Sequence, residues 1–137
     1  MENNQPGILY VEDDAQSRKL MAILLKGRMK LTHVTILEDS QDFLTRVQAL
    51  EPKPDLILLD IQMKPYNGFE MLRMLRQLDW IATRPVVALT ASVMNEEIQS
   101  LQTAGFDGCL AKPIDISTFP QTLERILAGE KIWRVLN

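Results

Sequence analysis

Short apolar runs alternate with amphipathic stretches along this chain. Residues 8–11 are apolar and end in the acidic triplet Glu12-Asp13-Asp14. The next stretch places Leu20, Met21, Leu24 and Leu25 on one face of a helix, and Gly27 weakens its end. Residues 33–37 read as a second strand. Ser40 offers an N-cap for a second helix, with Phe43, Leu44, Val47 and Leu50 at helical spacing, and Pro52 and Pro54 stop it. Residues 56–59 form a third apolar run, ending at Asp60, and Pro65, Asn67 and Gly68 mark the turn that follows. Met71, Leu72, Leu75 and Leu78 give a third helical face, residues 85–89 a fourth strand ending at Thr90, and Met94, Ile98 and Leu101 a fourth helix closed by Gly105. A fifth strand near residues 108–110 is weak on pattern alone. Ser117 is expected to cap a last helix whose inward residues are Phe119, Leu123, Ile126 and Leu127.

Strand then helix, five times over, predicts a parallel sheet with helices on both faces, because continuous apolar strands need cover on both sides. In such sheets ligands bind beyond the carboxyl ends of the strands, where the strand order reverses. The pattern therefore directs attention to the residues at which strands stop.

Composition narrows the class. The chain has 137 residues, room for one domain with a real core but not for two; 46% are hydrophobic and 24% charged. A formal net charge of -3 and a pI near 5.2 do not suggest a nucleic-acid or membrane surface. The single cysteine, Cys109, excludes an internal disulfide and a multi-cysteine metal site. Residues 1–7 are polar and lack the basic and apolar regions of a secretory leader, so a cytoplasmic location is expected.

The strand-end residues are Glu12 and Asp13, Asp60, Thr90 and Lys112. Three carboxylates so placed repel one another unless neutralised, and a hard divalent cation with oxygen ligands does this. Mg²⁺ suits one or two carboxylates together with water and phosphate oxygens. Lys112 and the Thr90 hydroxyl supply a charge and a donor for an anion beside it. Together they make a site for phosphoryl transfer onto a carboxylate.

The segments 8–14, 55–60, 86–91 and 110–113 resemble the signature stretches of response-regulator receiver domains. Each is weak by itself; in order, with thirty residues from Asp60 to Thr90 and twenty-two from Thr90 to Lys112, they are specific. The resemblance covers residues 8–127 and implies a flavodoxin-like (βα)5 sandwich with strand order 2-1-3-4-5. It implies that Asp60 accepts a phosphoryl group from a phosphohistidine on a histidine kinase or histidine phosphotransfer protein. It further implies that Glu12, Asp13, Asp60 and the backbone carbonyl of Gln62 hold Mg²⁺. Thr90 is then the switch hydroxyl, and Lys112, followed by a cis bond to Pro113, pairs with the phosphoryl group. The implied product is a protein that is not an enzyme but a phosphorylation-controlled switch acting through a downstream protein target. Asp14 is not expected to be a ligand.

Two positions depart from the family pattern. Cys109 stands where receivers usually carry an aromatic residue, and reads as a small buried strand residue. Lys64 stands where a proline is usual, with Pro65 next; a solvated loop lysine and an electrostatic role at the site mouth are equally in accord with its place. The expected organisation is a flexible N-terminus (1–7), a receiver domain (8–128) and a C-terminal tail (129–137). Nine residues after Ala128 are too few for an output domain. Ile132, Trp133, Val135 and Leu136 make that tail apolar, and it is expected to fold back onto its own domain. The alternative is a homodimer or partner contact through the tail, and the face of the fourth and fifth helices is a second candidate for a homodimer. Competing readings are a pseudo-receiver that works without phosphorylation, and a phosphatase with an aspartyl nucleophile. The latter needs a second acid two residues after the nucleophile, where this chain has Gln62. A flavodoxin-like nucleotide binder is disfavoured because no glycine-rich loop follows the first strand.

Overall fold

The computed structural model describes residues 5–133. Residues 1–4, most of the stretch expected to be a flexible N-terminus, and residues 134–137, with the tail positions Val135 and Leu136, lie outside it. Five strands, β1 (Gly7–Val11), β2 (His33–Leu37), β3 (Leu56–Asp60), β4 (Val86–Thr90) and β5 (Gly108–Ala111), form one parallel sheet in the order β2-β1-β3-β4-β5. The expected flavodoxin-like order is the observed one. Strand β1 begins at Gly7, one residue inside the stretch expected to be flexible, and Gln5 accepts hydrogen bonds from the N–H and hydroxyl of Thr32 at 2.8 Å each.

The helices are α1 (Ala15–Ala22), α2 (Phe43–Gln48), α3 (Gly68–Leu75), α4 (Asn95–Ala104) and α5 (Phe119–Leu127). A π-helical segment, Ile23–Arg28, continues α1 through Gly27, and a 3₁₀ turn, Asp79–Thr83, follows α3. Alternation along the strands divides the core in two. Leu9, Val11, Ile57, Leu59, Val86, Ala88 and Cys109 face α2, α3 and α4. Ile8, Tyr10, Leu56, Leu58, Val87, Leu89 and Leu110 face α1 and α5. Both strand faces are covered, which is why β1 and β3 read as unbroken apolar runs.

Helix starts differ in how they are fixed. Asp14 caps α1, accepting from the Ser17 N–H at 2.8 Å. Asn67 and Glu70 form a reciprocal capping box at α3, each accepting from the other's backbone N–H at 2.9 Å. Two expected caps do not form. Helix α2 starts after Asp42, and the buried Ser40 instead bonds both the N–H and the carbonyl of Tyr66, at 2.7 and 2.8 Å. Helix α5 starts after Thr118, and Ser117 donates to Asp115 at 2.7 Å. Met94, expected on an inward helical face, is the residue before α4 and is exposed.

Candidate phosphoacceptor site

The acidic cluster forms because β1 and β3 are neighbours in register, Val11 opposite Leu59, so the residues that follow come out side by side at the carboxyl rim. Glu12 is fully buried and Asp60 is 5% exposed, whereas Asp13 is exposed to solvent. Carboxylate oxygens of Glu12, Asp13 and Asp60 all lie within 4.8 Å of one another. Oxygen donors at that spacing fit a hard divalent cation better than a soft one.

Lys112 is delivered by the far strand. Its backbone N–H donates to the Thr90 carbonyl at 2.9 Å, which fixes the end of β5 against the end of β4. From there Nζ reaches Glu12 Oε1 at 2.9 Å and Asp60 Oδ2 at 3.3 Å. The Lys112–Pro113 bond is cis, as the resemblance implies.

Burial works against ionising any of the three groups, and their partners decide the outcome. Burial and then the adjoining Glu12 carboxylate push Asp60 up to about 6. For Glu12, burial is outweighed by hydrogen bonds from Asp60, Lys112 and the Asp14 N–H, so its carboxyl lies below the ordinary range. For Lys112, burial is outweighed by Glu12 and Asp60, and the ammonium is held more firmly than usual. The resting site is thus one lysine shared between two inward carboxylates, with Asp60 the harder of the two to ionise.

Of the expected residues, Glu12, Asp13, Asp60 and Lys112 converge. Gln62 touches the cluster through its N–H, which donates to Asp60 Oδ1 at 3.2 Å. Thr90 lies on the same rim, half-buried, its hydroxyl accepting from the Ser92 N–H at 3.1 Å. Asp14 is occupied in capping α1, and Lys64 is exposed in the loop after Asp60. Cys109 is fully buried, and burial pushes its thiol up to about 11.

Three residues support the site in roles that the sequence reading did not assign. The Tyr10 hydroxyl donates to Glu12 Oε1 at 3.0 Å. Two-residue spacing on one strand already puts both on the same face, which is the signal that was available. Arg18 donates to the Glu12 carbonyl at 2.9 Å and holds the β1–α1 turn. Ser40, through its two bonds to Tyr66, ties down the loop that begins at Asp60.

A family model described as the response regulator receiver domain matches residues 8–124. The chain belongs to that family. Among receiver relatives, the polar-differentiation response regulator DivK of Brucella anthropi is 34% identical over 79 residues, 58% of this chain and 64% of DivK. The signal transduction histidine-protein kinase BarA of Escherichia coli K12 is 30% identical over 125 residues, 91% of this chain but only 13% of BarA. The chain therefore spans less than two thirds of the length of either relative. The chemotaxis response regulator CheY4 of Vibrio cholerae superposes with a TM-score of 0.79 at 25% identity, covering 90% of this receiver and 99% of CheY4. Receivers thus occur both as regulators and inside histidine kinases. No helix among the described residues of this one is long and apolar enough to cross a membrane.

Proposed function

We propose that this receiver is a phosphorelay switch whose acceptor is Asp60, loaded from the phosphohistidine of a histidine kinase or histidine phosphotransfer protein. The observation that carries the reading is the position of Lys112, which bridges Glu12 and Asp60 at 2.9 and 3.3 Å inside a three-carboxylate cluster. A lysine serving only to neutralise the buried Glu12 has no need of the second contact.

Glu12, Asp13, Asp60 and the Gln62 carbonyl are the residues that would hold Mg²⁺, which when bound supplies charge neutralisation for phosphoryl oxygens. Asp60 attacks the phosphorus; a P–O bond forms, the P–N bond to the donor imidazole breaks, and the imidazole leaves with its electron pair. Lys112 turns from the carboxylates toward the new phosphoryl oxygens, and the Thr90 hydroxyl, which accepts from the Ser92 N–H, donates its own proton to one of them. The added charge and acceptors at one spot bias the chain between two conformations, and the output is a contact with a downstream protein. In this reading the chain assists its own loading and unloading and turns over no separate substrate. The receiver comprises residues 8–128, followed by a C-terminal segment, 129–137, and works in the cytoplasm.

Intact mass after incubation with acetyl phosphate and Mg²⁺ tests the reading. One phosphoryl adduct is expected, absent in Asp60→Asn. An adduct that survives Asp60→Asn, or none with either acetyl phosphate or a phosphohistidine donor, overturns it.

A further inference from the structure

Strand β5 is the outermost of the sheet, and an outermost strand leaves a row of N–H and C=O groups without ladder partners. Here the chain's own C-terminal segment lies along that edge. The Cys109 N–H donates to the Ile132 carbonyl at 2.9 Å, and Cys109 and Trp133 form a parallel bridge. The return is built into the end of α5. Gly129 has φ 104, and the N–H groups of Gly129 and Glu130 donate to the carbonyls of Ile126 and Arg125, the paired bonds of a Schellman stop. Ile132 is buried in the core facing α1 and α5, while Trp133 packs on the core facing α2, α3 and α4. Successive residues on opposite faces are the mark of a strand. Gly108 makes room for it: an added Cβ would lie 2.8 Å from the Ile132 carbonyl oxygen. The family match ends at residue 124, so the tail side of this contact lies beyond the matched residues.

We propose that residues 131–133 are a latch, a short sixth strand that occupies the β5 edge while Asp60 is unmodified and leaves it when Asp60 is phosphorylated. The inference rests on the acceptor reading above. Strand β5 links the two contacts: Cys109 on it holds the latch, and Lys112, the residue just past its end, holds Glu12 and Asp60. Ala111 is in register with Thr90, so the two groups that turn toward a phosphoryl oxygen sit at the end of the β4–β5 pair. Movement there is resisted on the inner side of β5 by four register pairs with β4, and on the outer side by one bridge with its hydrogen bond to Ile132 and by the Asp107–Lys131 pair at 3.9 Å, whose lysine is exposed. The outer side, with one bridge against four register pairs, is the side that yields. Coupling is reciprocal, so detaching the latch favours the loaded form.

The test follows exchange of the Cys109 amide by NMR in the full chain, before and after acetyl phosphate and Mg²⁺, with intact mass read on the same sample. The amide is expected to be protected at first and to exchange at least tenfold faster once the adduct is present. Gly108→Ala should release it without phosphorylation; Trp133→Ala, which leaves the β4–β5 ladder untouched, should do the same. Both should raise the loaded fraction at limiting acetyl phosphate. An adduct with unchanged Cys109 protection overturns the latch alone, as does an amide unprotected from the start. Absence of any adduct overturns the acceptor reading and the latch with it.

Discussion

Acidic residues stand at both ends of the strands, and the two ends treat them in opposite ways. At the amino ends, Asp55 accepts from the Gly7 N–H at 2.8 Å with Arg84 at 3.8 Å, and Asp107 accepts from the Val86 N–H at 2.9 Å with Arg76 at 3.7 Å and Lys131 at 3.9 Å. Each of these acids closes a backbone donor on a neighbouring strand and has its own cationic partner, one for Asp55 and two for Asp107. At the carboxyl ends, Glu12 and Asp60 are buried deeper, face each other and share Lys112. The lower acids finish a ladder. The upper ones are held under mutual repulsion, an arrangement that gains when a cation or a lysine partner is needed and that a purely structural end would not retain.

The comparison is broken most directly at the upper end. Chelation of divalent cations should abolish adduct formation, and Asp13→Asn should raise the Mg²⁺ concentration needed for half-maximal loading. Loading that proceeds in excess chelator would remove the metal from the reading. Next in size, Lys112→Met should slow loading by about 10²-fold or more, the usual cost of removing one preorganised charge from a transition state. A rate within threefold of the natural protein would reduce Lys112 to a structural counterion for Glu12.

At the lower end the same kind of change should touch stability and not loading. Asp107→Ala leaves the Val86 N–H, at the start of a buried strand, without its acceptor. The expected loss is ~1–2 kcal/mol in urea unfolding. At saturating phosphodonor the loading rate should stay as it was, since Asp107 lies at the opposite end of the sheet from Asp60 and its pair with Lys131 of the latch, at 3.9 Å, is a long one with the lysine largely exposed. A fall in loading rate that outlasts correction for the folded fraction would join the two ends and undo the contrast.

This contrast also separates what could be read in the chain from what could not. The buried strands were legible because cover on both faces leaves no polar position in 8–11 or 56–59, save the tyrosine hydroxyl that meets Glu12. Glu12, Asp60 and Lys112 were legible because their strands end where those runs end. Local rules failed where the partner is remote. Ser40 has the look of an N-cap, but its partner Tyr66 is 26 residues away and takes both of its hydrogen-bonding functions. Strand β5 is weak in pattern because Gly108 and Cys109 are chosen for what packs against them, and the approach of Ile132 to Gly108 leaves no trace in local periodicity. Met94, set at helical spacing from Ile98 and Leu101, falls just before the first turn and so escapes the inward face.

The smallest expected effect sharpens the contrast furthest, because it uses one substitution at both ends. Asn keeps the shape of Asp and one acceptor oxygen while removing the charge. In Asp55→Asn the Gly7 N–H retains an acceptor, and what is lost is an ion pair with Arg84 at 3.8 Å, with the Asp55 side chain 51% exposed. Pairs of that kind contribute ~0–1 kcal/mol. Arg84 also keeps its bond to the Pro54 carbonyl at 2.9 Å and its place on the Trp80 ring, 5.4 Å from the centroid, so it stays anchored without the charge. Urea unfolding of Asp55→Asn should therefore fall within ~1 kcal/mol of the natural protein, with loading unchanged, while Asp60→Asn ends loading altogether. A loss well beyond that at Asp55 would mean that its charge, and not its geometry, holds the amino end, and the two ends of the sheet would then differ in depth of burial and not in kind.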